Sequence, residues 1–157
     1  MQKNYPGVDL AYELAVDSYE PLISRLDTID GRLQTIMGFA ATTMALVPSV
    51  ASARNLSFAS VAFWVAFAIF VFILAVGSHA RHHGEIKLLN PAKFEDYDTW
   101  LGYEPWEFKS TFIHWAGQHF EHNNNLVTWK WKRSVIVTFA FFVQVVFLVA
   151  WVALARL

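Results

Sequence analysis

Charged residues vanish from three stretches of the chain: 21 residues between Arg32 and Arg54, 26 between Arg54 and Arg81, and 22 between Arg133 and Arg156. A hydrocarbon layer of about 30 Å is crossed by roughly 20 helical residues at about 1.5 Å each, so each stretch predicts a transmembrane helix. Before the first stretch, Leu22, Leu26, Ile29, Leu33 and Ile36 recur by 4, 3, 4 and 3, the seam of a helix that packs along another helix. With Ser18 as cap and Pro21 in the first turn, this predicts one long helix from about residue 20 to Ser52, with Pro48 as the place for a kink or an early end. A short amphipathic helix, Val8 to Tyr19, is expected before it, with Leu10, Leu14 and Val16 set among Asp9, Glu13 and Asp17. Ser52 to Ser57 is long enough only for a tight turn, which makes spans one and two an antiparallel hairpin.

The second span, Phe58 to about Ser78, is apolar on every face and ends in His79, Arg81, His82 and His83, with Pro91 closing the segment. Asn90 to Glu107 reads as a loop or short-helix segment carrying Glu95, Asp96 and Asp98. From Pro105 a helical period resumes through Phe108, Phe112, Trp115 or Ala116, His119 or Phe120, Asn123 and Val127. It runs through Trp129, Lys130, Trp131, Lys132 and Arg133, residues suited to a water boundary, into span three. The fold class expected is therefore all-α, an integral membrane protein with three transmembrane helices and long cytoplasmic helical extensions. Its segments are a cytoplasmic amphipathic part (1–32), a transmembrane hairpin (33–80), a cytoplasmic helical part (81–133) and a third transmembrane helix (134–157).

Composition sharpens this. Only 16% of residues are charged, against about 25% in soluble domains, which excludes a soluble single-domain enzyme. Zero cysteines exclude disulfides, Cys-ligated metals and thiol chemistry. The first 32 residues hold six acids and three bases and no apolar run, so they form neither a signal peptide nor a basic presequence. Ten of the twelve Lys and Arg lie in the N-terminal tail and the Arg81–Arg133 segment, which by the positive-inside rule places both in the cytoplasm and the C-terminus outside. The central segment balances seven bases with seven acids, so no nucleic-acid partner is expected.

Candidate chemistry is sparse. The chain has no phosphate-binding glycine loop, no HExxH, no GxSxG and no charged residue inside a span, so neither an enzyme nor an ion-coupled transporter is expected, and no cofactor. Six histidines fall in two groups, His79, His82, His83 and His114, His119, His122. His79 and His83 share a helix face, as do His119 and His122, but spacing without an acid partner does not make a metal site, and none is assigned. Within the spans the polar side chains Thr42, Thr43 and Gln144 stand out, and an amide at mid-span either bonds a neighbouring helix or lines a wet path. Asn123, Asn124 and Asn125 are poor helix formers and mark either a polar contact or a kinked junction. Arg81, His82 and His83 after span two, with His119, Asn123, Asn124 and Lys130 before span three, are candidates for a cationic, amide-lined pocket for a phosphate-bearing ligand. Alternatively, Arg81 and Lys130 anchor their helices to lipid headgroups.

The acidic amphipathic start Ala11–Leu46, the span hairpin, the Pro-bearing Leu88–Phe94 and the stretch Phe108–Ser134 before a last span together resemble small bacterial membrane proteins of the Pycsar-effector and SLATT kind. The shared features are the Asp30-Gly31-Arg32 step, the Asn90-Pro91 pair and the Asn125 to Lys130 step. The resemblance implies a membrane-disrupting effector of nucleotide-signalled anti-phage defence, in the bacterial inner membrane with its N-terminus inside. Its partners would be the bilayer, other copies of itself and a nucleotide second messenger. Self-association is expected along Leu22, Leu26, Ile29 and Leu33. Two other functions fit the same residues: a membrane anchor for a soluble protein partner, or a cation or metal transport component built on the histidines.

Overall fold

The computed structural model describes residues 6–54, 56–87 and 102–154, and what it describes is about 90% helix with no strand. Three helices follow one another: α1 (Pro6–Arg54), α2 (Val61–His82) and α3 (Pro105–Leu154). Each is long and apolar enough to cross a membrane. The expected Asn90-Pro91 break, the Leu88–Phe94 motif, the acidic trio at Glu95, Asp96 and Asp98, and Arg156 lie outside the described residues.

The chain divides into two compact units, and α1 and α3 each contribute to both. A polar unit holds residues up to Leu26 and from Gly84 to Thr128, and a span unit holds Asp27–His83 and Trp129 onward.

In the polar unit, the short helix expected over Val8–Tyr19 is not separate but is the first part of α1. Ser18 does not cap a helix start; its hydroxyl donates back to the Ala15 carbonyl at 2.8 Å, the local bond by which serine is accommodated inside a helix. Pro21 is interior, where its missing N–H removes one ladder bond without breaking the helix. The face that α1 turns to α3 is aromatic rather than leucine-based. Tyr12 meets Phe112 with ring centroids 5.0 Å apart, Tyr19 stacks on Trp115, and the Tyr19 hydroxyl donates to the Ala116 carbonyl at 3.0 Å. Leu10 and Leu14, the expected apolar face, are each 62% exposed. An aromatic ring with a polar tip buries its body and still bonds at its end, which leucine cannot do. Partial burial raises the Tyr19 phenol above its ordinary range.

In the span unit, Ile29, Leu33, Ile36, Ala40 and Val47 of α1 are buried at helical spacing, continuing the seam that begins with buried Leu22 in the polar unit. The seam read from the sequence thus finds cover inside a single chain. Pro48 does not end α1, which continues to Arg54. Leu56 N–H then donates to the Ala51 carbonyl at 3.0 Å and closes the turn into α2. Gly77 lets α2 approach closely: a Cβ there would lie 2.7 Å from the Met37 sulfur. At the Arg54 end, Trp151 is 1% exposed among Val47, Ala51, Leu56 and Phe63, and its indole N–H donates to the Ser57 carbonyl at 3.0 Å. Phe39, Leu46, Trp64, Phe67, Phe139, Phe142 and Val146 face outward from all three helices, an apolar exterior suited to lipid.

Candidate functional site

Polar groups buried in an apolar bundle are expensive, so each one present calls for a structural or functional account. The span unit has two such places. At its charged end, Lys130 is 2% exposed. Its ammonium donates to both Asp30 carboxylate oxygens, at 3.1 and 3.0 Å, and to the Arg81 carbonyl at 3.1 Å. All three ammonium protons are thereby used, and one side chain of α3 binds α1 and the last turn of α2 together. The carbonyl is one of the acceptors left open at a helix C-terminus, where a cation is favoured. Asp30 had drawn notice only as part of the Asp30-Gly31-Arg32 step. The signal that would have found it is an acid and a lysine at the charged borders of uncharged stretches on two different helices.

The second place is Gln144, at the middle of the third uncharged stretch. It is 0% exposed, and neither its amide nitrogen nor its oxygen has a partner. The Ser134 hydroxyl, buried at the start of the same stretch, likewise has none. Each unpaired buried group costs on the order of 1–3 kcal/mol, more where no water can reach it. Of the two uses open to a mid-span amide, bonding between helices is therefore not made in this state. Thr42 and Thr43 are inert by comparison: their hydroxyls return to the Gly38 and Ala40 carbonyls of their own helix.

The remaining candidates divide between the two units. In the polar unit, Asn123 is 1% exposed, and its amide clasps the Lys87 backbone, donating to the carbonyl at 3.1 Å and accepting from the N–H at 3.0 Å. The asparagine run is regular helix rather than a kinked junction, and its buried member completes a connection to the chain after α2. Gly84, at φ +74° in that same chain, packs against Leu126, where a Cβ would lie 2.6 Å from its nearest methyl. Asn124 is exposed, and His119 is part-buried edge-on against Trp115 at 4.6 Å. In the span unit, Arg81, His82 and His83 are exposed. Of the seven pocket candidates, Asn123 and Lys130 already spend their side chains on protein partners, which leaves Arg81, His82, His83, His119 and Asn124 with polar groups to offer. Among the described residues no three His, Asp or Glu side chains converge as a metal-binding set.

Desolvation, with smaller contributions from Lys87 and His122, lowers the His119 imidazole below its usual range. Folding therefore favours the neutral ring. Its contribution is complete above the unfolded imidazole value of about 6.5 and is lost as pH falls from there through the lowered folded value. The protection of polar-unit amides, taken as exchange relative to the intrinsic rate at each pH, is expected to fall on acidification below about pH 6.5, with a shallower pH slope in His119→Asn. An unchanged slope in the variant would assign the acid sensitivity to other groups.

No family model, curated protein or solved structure matches the chain.

Proposed function

We propose that the chain is a non-enzymatic membrane effector whose copies associate in the bacterial inner membrane and open it when the polar unit, on the cytoplasmic side, receives a signal. The observation that carries this reading is Gln144: a fully buried amide, unpaired at both ends, halfway along an uncharged span. A chain that only anchors itself in lipid has no use for that cost, and leucine there would pack without it. A second state, in which α3 turns and Gln144 faces water along a path between copies, satisfies the amide and recovers the cost. Three helices cannot enclose a channel alone, so the path belongs to an oligomer, consistent with the apolar exterior on every helix. The Lys130–Asp30 pair, with its bond to the Arg81 carbonyl, supports the resting state by holding α1, α2 and α3 in one register. The resemblance to effectors of nucleotide-signalled anti-phage defence supplies the signal, a nucleotide second messenger. Within the polar unit, His119 and Asn124 carry polar groups that such a ligand would address.

The test is release of a small dye from vesicles containing the purified full chain, with and without cyclic nucleotides. The wild type is expected to release dye on addition of one of them, and Gln144→Leu to stay at the leak of empty vesicles while folding at least as stably. A wild type that never releases dye, or a Gln144→Leu variant that releases it equally, would remove this function.

A further inference from the structure

At the charged end of the span unit, α2 and α3 build a second cluster that the ion pair does not use. The imidazole of His83 lies 4.5 Å from the ring of Trp129, and His79 meets the same indole at 5.9 Å and His83 at 5.2 Å. The Arg133 guanidinium lies over that indole, 5.2 Å from its centroid. One half-buried tryptophan is thus lined by two imidazoles and a guanidinium, all three exposed. Among the described residues the two ion pairs are Lys109–Asp9 and Lys130–Asp30, so neither engages Arg81, Lys132 or Arg133.

We propose that His79, His83, Trp129 and Arg133 form a binding site for the phosphate headgroup of an anionic phospholipid in the adjoining leaflet. The cluster sits at the first charged residues beyond two uncharged spans, at the depth where a headgroup phosphate lies. Stacking on the indole holds the guanidinium plane and leaves its N–H edge free to fork onto two phosphate oxygens. The imidazoles add N–H donors beside the same indole, and this cationic cluster suits a phosphate that carries net negative charge better than one neutralised by a choline of its own headgroup. Boundary lysines and arginines in general float on flexible stems; the built feature here is a cation held in place by a ring that two other donors also touch.

The full chain in detergent micelles doped with equal phosphatidylglycerol and phosphatidylcholine, read by native mass spectrometry for retained lipid, tests the assignment. The wild type is expected to retain phosphatidylglycerol over phosphatidylcholine by about tenfold, the worth of one or two cations facing a headgroup of net negative charge. Arg133→Gln and the double variant His79→Asn/His83→Asn are expected to reduce that preference several-fold with unchanged helicity, and Lys132→Gln, beside the stack but outside it, to keep most of it. Equal retention of the two lipids by the wild type, or Lys132→Gln losing as much preference as Arg133→Gln, would overturn the site. Displacement of phosphatidylglycerol by millimolar inorganic phosphate or a cyclic nucleotide would assign the cluster to a free phosphate instead. None of these readouts depends on membrane opening, so the site stands or falls separately from the effector reading.

Discussion

Replacing Lys130 by methionine is expected to destabilise the span unit by about 3 kcal/mol, because it removes one partner of a nearly buried pair and leaves the Asp30 carboxylate facing an apolar stem. The side chains differ in exposure, 3% for Lys130 and 26% for Asp30, so part of the carboxylate charge stays hydrated and the loss lies at the low end for buried pairs. The Arg81 carbonyl also loses its donor. The double variant Lys130→Met/Asp30→Asn should recover much of the loss, since no uncompensated charge remains. Denaturant titration in mild detergent reads both. If the single and double variants unfold together, the pair contributes packing rather than charge. The same single variant should leak dye without any signal if the pair holds the resting register.

Trp151→Ala should cost more, about 3–5 kcal/mol. The indole is nearly inaccessible, touches the rings of Phe58 and Phe63, and its N–H satisfies the Ser57 carbonyl in the turn between α1 and α2. Trp151→Phe keeps most of the packing and forfeits the hydrogen bond, for a loss nearer 1 kcal/mol. Thermal unfolding followed by near-ultraviolet circular dichroism separates the two. A loss for alanine no larger than for phenylalanine would mean that the turn bond, not the ring, holds this end together.

What the sequence made legible follows from the range of each physical signal. Length and absence of charge are intrinsic to a span, so three helices and the unbroken run from Pro105 into the third were readable directly. Helix ends were not: Ser18 and Pro21 look like a start, yet tertiary packing of Tyr12 and Tyr19 carries α1 through them from Pro6. Periodicity located the Leu22–Ile36 seam but not its partner, because a heptad stripe reads the same whether its cover is the same chain or another. Gln144 stood out by its surroundings alone, whereas Lys130 looked like a ligand contact until Asp30, 100 positions earlier, was brought against it. The role of Trp151 was hidden, since an aromatic near the end of a span reads as an interfacial anchor.

In the proposed opening, Gln144 leaves the dry interior of the span unit for water. Because the chain contains no cysteine, Gln144→Cys carries a unique thiol. In dye-loaded vesicles, this thiol should resist a membrane-impermeant maleimide in the resting state and react with it once cyclic nucleotide, or the Lys130→Met change, starts release. Dye release with residue 144 still unreactive would contradict that exposure.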